Sequence, residues 1–240
     1  MALEFAMTDQ IATDSGIKIL VYSESGIGKT MLCATAPAPI ILSAEAGLLS
    51  LKKTNIERIN GVNTPGITYN IPIIHIRTIG DLQEAYKWLT ESKDAVSFQS
   101  VCMDSLTEIA ETVLTNAKKV ATDPRQAYGA MQDQMISLVK SYRDIVGKNV
   151  IMLSKMEKEK DEVSGAMLYG PTMPGKKTGP ALPYLFDEVF RMGIAKDKDK
   201  EFRFLQTQPD LQYTAKDRSG TLAAFEPPNL THIINKIRGK

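Results

Sequence analysis

The residues most able to do chemistry form a short polar turn near the start of the chain. The turn reads Ser23-Glu24-Ser25-Gly26-Ile27-Gly28-Lys29-Thr30 and lies between an apolar, β-rich segment and a segment of helix-forming composition. A small residue, four variable positions and then Gly-Lys-Ser/Thr is the pattern of a phosphate-binding loop. Backbone N–H groups of such a loop, and of the helix that follows, converge on phosphate groups. All eight residues are therefore predicted to bind the phosphate groups of a nucleotide.

Individual residues of this phosphate loop (residues 23–30) have distinct expected roles. Lys29 is expected to neutralise β- and γ-phosphate oxygens, and the Thr30 hydroxyl is expected to ligate Mg²⁺. Gly26 and Gly28 allow backbone torsions and a close approach that a Cβ atom would obstruct. Ser23 stands where this pattern usually has its first glycine. Serine is small, but it does not readily adopt a positive φ.

Two acidic residues follow apolar segments that are predicted to be strands. Asp104 ends the run Val101-Cys102-Met103-Asp104 and is predicted to hold the water shell of Mg²⁺, although it can also cap the next helix. Glu45 follows the apolar residues 40–43 and is predicted to orient or deprotonate the attacking water. This role expects the strand of Glu45 to neighbour the strand of the phosphate loop. The alternative role of Glu45 is a favourable interaction with the dipole of the following helix.

Composition excludes several classes of protein. The chain has 240 residues, enough for one α/β domain with a full core. Lys and Arg number 29 against 28 Asp and Glu, so bulk positive charge does not drive binding to nucleic acid or anionic membrane. No apolar run is long enough to span a bilayer, no secretory signal is visible, and the two cysteines lie in apolar contexts. We expect a soluble, cytoplasmic protein with reduced thiols.

Apolar periodicity predicts a mixed α/β fold around these residues. Short apolar segments predict strands at 17–22, 40–43, 71–76, 100–103, 150–153, 188–194 and 202–207, and helical spacing predicts helices that begin near residues 30, 82, 106, 124 and 230. Strands separated by helices predict a mostly parallel sheet, and the last strand pair predicts an antiparallel edge. The chain is thus divided into a tail or arm at residues 1–16 and one domain at 17–240. Residues 155–183, rich in Gly and Pro, are predicted to be a long functional loop.

Three segments, in this order, resemble the RecA-type ATPases. They are the phosphate loop, Ile41-Leu42-Ser43-Ala44-Glu45 and Val101-Cys102-Met103-Asp104-Ser105. The resemblance implies a RecA-like P-loop core that uses ATP and Mg²⁺. It also implies that Glu45 is the catalytic glutamate and that Asp104 is the Mg²⁺-associated aspartate. Ser154 and Lys155, at the end of a predicted strand, are the candidate sensor residues.

A fourth segment implies assembly. Ala215-Lys216-Asp217-Arg218-Ser219-Gly220 is similar to the Lys-x-Arg-x-Gly element of RadA-like and ring-helicase relatives. In those relatives the Lys and Arg reach the nucleotide of the adjacent subunit, where cations stabilise charge on the transferring phosphoryl group. The resemblance therefore implies that Lys216 and Arg218 act in trans within a homo-oligomer, a ring or a filament. Without the resemblance, a solvated basic turn is the simpler interpretation.

Further segments narrow the resemblance and imply a nucleic-acid partner. With Asp104-Ser105-Leu106-Thr107-Glu108, Phe186-Asp187-Glu188-Val189 and Glu226-Pro227-Pro228-Asn229-Leu230, the chain most resembles small phage-encoded RecA-like ATPases of single-strand annealing and recombination. The implied partners are single-stranded DNA and, as a further candidate, a single-strand-binding protein. The implied location is the cytoplasm of a bacterial host.

The implied DNA contact lies in residues 155–183, because one DNA-binding loop of RecA-like folds follows the sensor strand. Tyr169 is predicted to stack on a base, and Lys176 and Lys177 are predicted to contact phosphates. The alternative is a solvated hairpin, or a loop that packs on a neighbouring subunit.

Two other classes of function stay open. The first is a nucleotide or small-molecule kinase, but such kinases usually need an arginine-rich lid, and residues 155–183 contain no arginine. The second is a non-catalytic, ATP-dependent assembly switch, in which Glu45 would be dispensable. His75 and His232 are too few and too scattered to indicate a histidine-based metal site.

Overall fold

The structure is a computed structural model that describes residues 7, 15–45, 47–162, 164–175 and 178–240. Within these residues, ten strands form one sheet: β1 Lys18–Ser23, β2 Pro39–Ser43, β3 Ile73–His75, β4 Ser100–Asp104, β5 Asn149–Lys160, β6 Met167–Thr172, β7 Glu188–Asp197, β8 Lys200–Gln206, β9 Lys216–Asp217 and β10 Phe225–Glu226. The described helices are α1 Lys29–Leu32, α2 Lys53–Asn60, α3 Ile79–Glu91, α4 Leu106–Val120, α5 Pro124–Arg143, α6 Thr178–Ala181 and α7 Leu230–Ile237. The predicted tail at residues 1–16 lies outside the described residues except at positions 7, 15 and 16.

The central strands are parallel and the last ones are antiparallel. The sheet has the order β10-β8-β7-β1-β5-β4-β2-β3, with β6 paired to β5 and β9 paired to β7. All pairs from β7 to β3 along this order are parallel. Strands β6, β8, β9 and β10 pair antiparallel with their neighbours. The predicted mixed α/β fold, with a mostly parallel sheet and an antiparallel edge, is confirmed.

Both faces of the central strands are buried, which explains why these strands read as continuous apolar runs. In β1, Leu20 and Tyr22 belong to the core beneath α4 and α5. The alternate residues Ile19 and Val21 belong to the core beneath α1 and α7. The chain thus forms three layers, with one helical layer on each side of the sheet. In the described residues, no helix is both long enough and apolar enough to cross a membrane.

Side-chain caps fix where the helices begin. Thr78 accepts a hydrogen bond from the backbone N–H of Asp81, and the Asp81 carboxylate accepts one in return, which makes a capping box at the start of α3. The Asn229 side chain accepts from the His232 N–H at the start of α7, as its type and position predict. Each cap satisfies a backbone N–H group in the first turn of its helix.

The prediction that residues 155–183 form one long loop is wrong, because strands and a short helix occupy much of this segment. Strand β5 continues to Lys160 and pairs with β6, from Lys155 opposite Thr172 to Lys160 opposite Met167, and α6 follows. The end of β5 alternates Lys and Glu, and its last residues are exposed, so apolar periodicity does not reveal it. This β5–β6 hairpin corresponds to the alternative that the sequence left open. Helix α2 was not predicted, because Ile56 is its one fully buried residue.

Candidate nucleotide-binding site

The phosphate loop lies at the edge of the sheet where the parallel strands end. Strand β1 ends at Ser23 and β4 ends at Asp104, and α1 begins at Lys29 directly after the loop. Ser43, the last residue of β2, is paired in register with Asp104. Because carboxyl ends of parallel strands meet at one edge, the predicted nucleotide residues and both predicted acids lie together.

The backbone of the phosphate loop has the form that its glycines predict. Gly26 and Gly28 have φ of 78° and 111°, in the region that favours glycine. Ser23 lies in β1 and therefore has an extended backbone, so serine in place of the usual glycine needs no positive φ. The Ser23 side chain is buried, and its hydroxyl donates to the Glu24 carbonyl at 2.9 Å.

The Lys29 ammonium group is held by oxygen atoms of the loop itself. Its Nζ donates to the Ser23 carbonyl at 2.9 Å, to Ser23 Oγ at 3.0 Å and to the Glu24 carbonyl at 2.9 Å. Burial lowers the pKa of Lys29, while the negative charges of Asp104 and Glu45 act in the opposite direction. Phosphate oxygens carry charge and are stronger acceptors for an ammonium group than these neutral oxygens. Phosphate groups can therefore replace the loop oxygens as hydrogen-bond partners of the Lys29 ammonium group.

Thr30 and Asp104 join the start of α1 to the end of β4. Thr30 Oγ1 donates to Asp104 Oδ2 at 2.6 Å. Asp104 is 2% exposed, and burial raises the pKa of its carboxyl to about 6. The hydrogen bond from Thr30 and the charge of Lys29 lower that pKa, and the charge of Glu45 raises it further. A buried carboxylate with a raised pKa is a place where a cation would relieve an electrostatic cost.

These two residues fit a magnesium ion. A hydroxyl and a carboxylate are the hard oxygen donors that Mg²⁺ prefers, and Mg²⁺ commonly binds through one or two such groups together with substrate phosphates. In the part of the chain that the structure describes, no group of three or more His, Cys, Asp or Glu could hold a metal ion. Thr30 and Asp104 are the residues that would hold Mg²⁺ together with substrate phosphates.

Glu45 reaches the site by a different route from the one predicted. Strand β2 does not neighbour β1, because β5 and β4 lie between them, so the expected strand adjacency is wrong. Instead β2 pairs with β4, and Ser105 Oγ, next to Asp104, donates to Glu45 Oε1 at 2.8 Å. The Ser43 hydroxyl also donates to the Glu45 carbonyl at 2.8 Å. Glu45 is thus held beside Asp104 by β4 rather than by β1.

Both candidate sensor residues are tied to neighbouring elements. Ser154 Oγ hydrogen-bonds the backbone of Thr172, which fastens β6 to β5. Lys155 Nζ forms an ion pair with Glu108 and contacts Glu111 at 3.4 Å, both on α4. A sensor role for either residue stays a prediction.

Lys216 and Arg218 lie at the opposite edge of the sheet from the phosphate loop. Lys216 and Asp217 form β9, which pairs with the start of β7, and Glu188 of β7 is level with Ile19 of β1. Lys216 Nζ donates to the Pro183 carbonyl at 2.7 Å. Arg218 pairs with Asp187 at 2.8 Å, and its side chain is 61% exposed. Among the described residues, no hydrogen bond or ion pair joins either side chain to the phosphate loop of the same chain.

The ring of Tyr169 packs against the body of the protein. It stacks on Tyr213 with ring centroids 4.8 Å apart, and the Arg191 guanidinium lies 3.6 Å from the Tyr213 ring centroid. The Tyr22 hydroxyl, at the end of β1, donates to the Thr214 carbonyl at 2.6 Å, and the Thr214 N–H donates to the Tyr169 carbonyl. The predicted DNA contacts Lys176 and Lys177 lie outside the described residues.

A family model described as an AAA domain matches residues 15–219. The chain belongs to this AAA domain family. It is therefore a P-loop ATPase of the AAA type, which agrees with the phosphate loop, Thr30 and Asp104 at one edge of the sheet. The search of curated proteins found no match to the chain.

Two solved structures are similar to this AAA domain. One is a KaiC-like protein from the hyperthermophilic archaeon Pyrococcus horikoshii OT3, which is 13% identical, with 80% of this chain and 77% of that chain covered and a TM-score of 0.39. The other is the RadB recombinase, which is 14% identical, with 82% and 83% covered and a TM-score of 0.46.

Arg203 of the AAA domain contacts the phosphate loop although no motif in the sequence indicates it. Its Nε donates to the Ile27 carbonyl at 2.7 Å, across a separation of 176 positions. In the sequence Arg203 is one charge among many near the turn between β7 and β8. A contact between positions this far apart depends on the strand order, which local patterns do not specify.

Proposed function

We propose that this AAA-type ATPase hydrolyses Mg·ATP as a homo-oligomer and acts on single-stranded DNA in phage recombination or single-strand annealing. The observation that carries the proposal is the meeting of four groups at one sheet edge: the Lys29 ammonium, the Thr30 hydroxyl and the Asp104 and Glu45 carboxylates. A site that only binds nucleotide does not need the Glu45 carboxylate. A hydrolase does need such a carboxylate, because the attacking water must be oriented or deprotonated.

Each of these groups has a task that its surroundings support. Lys29 exchanges the loop oxygens for phosphate oxygens and stabilises the charge that grows on them. Glu45, fixed through Ser105, orients the attacking water and accepts its proton. Thr30 and Asp104 would hold Mg²⁺, which supplies charge neutralisation at the phosphates when bound.

The proposed assembly rests on the surface that Lys216 and Arg218 occupy. Arg218 is exposed and paired with one carboxylate, Asp187, so its guanidinium can exchange that partner for a phosphate without unfolding the turn. An exposed pair of this kind contributes little stability, and its loss costs about 0–1 kcal/mol. A neighbouring chain that brings its phosphate loop to this surface would therefore gain a cation at small cost.

The proposed DNA contact rests on the position of the β5–β6 hairpin. The last pair between β1 and β5 joins Ser23 to Lys155, and β5 continues from there to Lys160. The hairpin therefore extends beyond the same sheet edge as the phosphate loop. A DNA strand bound along this hairpin would lie close to the nucleotide. Structural changes on hydrolysis would then have only a short distance to reach the DNA.

The test is steady-state ATP hydrolysis with and without single-stranded DNA, at about 50 mM and about 200 mM salt. Lys29→Ala provides the blank, and Lys53→Ala, a change at an exposed lysine of α2, provides the matched control. We expect hydrolysis that single strands stimulate, with less stimulation at the higher salt. An equal rate of hydrolysis with and without DNA would overturn the DNA part of the proposal. Full activity in Lys29→Ala would overturn the assignment of the nucleotide site.

A further inference from the structure

The hairpin formed by β7 and β8 extends over the phosphate loop. The last pair between β1 and β7 joins Tyr22 to Arg191, whereas β7 continues to Asp197 before β8 returns from Lys200. This β7–β8 hairpin therefore projects beyond the sheet edge at which the loop lies. Arg203 is paired with Ile194 in the projecting part.

The side chain of Arg203 lies against one peptide of the loop. Arg203 Nε donates to the Ile27 carbonyl at 2.7 Å, and a Cβ atom built on Gly28 would lie 3.4 Å from the same nitrogen. Met192, on the same hairpin, has its Cε 3.6 Å from that position. The Ile27 side chain packs against the core around β1 and α7. The peptide between Ile27 and Gly28 is thus held by the core on one side and by the hairpin on the other.

Holding this peptide has a consequence for phosphate binding. In a trans peptide the C=O and the N–H point in opposite directions, so a carbonyl fixed toward Arg203 also fixes the direction of the Gly28 N–H. N–H groups of a loop of this kind are its donors to phosphate. A guanidinium is a charged and rigid donor, which makes its hydrogen bond stronger than a neutral one.

We propose that Arg203 is a positioning residue of the nucleotide site, which acts on the phosphate loop of its own chain through the Ile27 carbonyl. The inference rests on the proposed nucleotide binding and adds to it the β7–β8 hairpin as a part of the site. Nucleotide binding and the hairpin are then coupled. A ligand that orders the loop also holds the hairpin, and a loosened hairpin weakens binding.

The experiment compares Arg203→Ala with Lys200→Ala, which removes the same charge from an exposed position of the same hairpin. The readouts are the Kd for ATP and ADP, kcat and KM, and hydrogen exchange of residues 194–203 with and without nucleotide. We expect Arg203→Ala to raise Kd and KM about tenfold, as loss of a charged hydrogen bond does, with kcat nearly unchanged. Nucleotide should slow hairpin exchange in the wild type and in Lys200→Ala, but not in Arg203→Ala.

A second variant keeps the test decisive. Arg203→Met retains an apolar stem and lacks the N–H donors, so it replaces Arg203→Ala if that protein fails to fold. Partial recovery of KM in either variant on adding guanidinium ion would support the proposal. Wild-type Kd, KM and hairpin protection in the folded variant would overturn it. A wild-type protein that binds no ATP would instead overturn the proposed function, whatever Arg203 does.

Discussion

Thr30 Oγ1 donates a 2.6 Å hydrogen bond to Asp104 Oδ2, which links the first turn of α1 to the end of β4. Strand β5 lies between β4 and β1, so this bond spans a neighbouring strand rather than following the chain. It brings the two expected magnesium donors together by contacts within the chain itself. Preorganised donors lower the cost of binding, because less order has to be created when the ligand arrives.

Glu45→Gln separates an ATP hydrolase from a nucleotide-dependent switch. The amide cannot accept a proton from water, so hydrolysis should fall by about 10²- to 10⁴-fold while ATP still binds. The measurements are the ATPase rate and a nucleotide titration. Glu91→Gln, at the exposed end of α3, is the control. Unchanged hydrolysis in Glu45→Gln would favour the switch.

Arg218→Ala tests the action of one subunit on the next. If Arg218 acts on a neighbouring site, its loss should lower turnover by about a thousandfold and leave ATP binding intact. Mixing Arg218→Ala with Lys29→Ala should restore part of the activity, because some sites then combine an intact loop with an intact arginine. The control mixes Lys29→Ala with a chain that carries both changes, and the role in trans is wrong if both mixtures behave alike.

Lys176→Ala combined with Lys177→Ala tests the predicted DNA contacts. Two lost phosphate contacts should weaken single-strand binding and reduce the slope of log K against log salt by about 1.4. The measurement is a titration of a labelled single strand at several salt concentrations. The same double change at Lys198 and Lys200, two exposed lysines of the β7–β8 hairpin, is the control. Equal slopes in all three proteins would remove these residues from the DNA site.

Glu188→Gln should flatten the dependence of stability on pH. Glu188 is 1% exposed, and burial, followed by the charge of Asp217, raises the pKa of its carboxyl from 4.5 to about 8. Asp187 adds to this rise, and the hydrogen bond from the Ser219 N–H opposes it. Between pH 4.5 and about pH 8, the folded protein therefore keeps a proton on Glu188 that the unfolded chain has already released. The free energy of unfolding consequently falls as the pH rises toward 8.

The comparison is cleanest between pH 7 and pH 8, because Asp104, whose pKa is about 6, has largely released its own proton above pH 7. Urea unfolding across this window should show a steeper loss of stability in the wild type than in Glu188→Gln. Glu84→Gln, at an exposed position of α3, should follow the wild type. A wild-type slope in Glu188→Gln would show that Glu188 is not the group that titrates.

Local patterns predicted where one part of the candidate site lies but not where the other part lies. The phosphate loop and Asp104 each follow a strand of continuous apolar residues, and parallel strands bring such ends to one edge. The positions of Glu45 and Arg203 depend on strand order. Glu45 is held by Ser105, directly after β4, and Arg203 reaches the loop from a hairpin distant in sequence. The sequence offered the β5–β6 hairpin only as an alternative to a loop, because alternating Lys and Glu on an exposed ribbon has no apolar period.

The buried hydroxyl of Tyr22 connects strand β1 to the segment around Thr214 and, through it, to the β5–β6 hairpin. Tyr22 precedes Ser23, the first residue of the phosphate loop, and it holds the Thr214 carbonyl, while Thr214 holds Tyr169 in the β5–β6 hairpin. Two positions after Thr214 the chain enters β9 with Lys216. The strand that leads into the phosphate loop is therefore tied, through one hydroxyl group, both to the β5–β6 hairpin and to the segment that leads into Lys216.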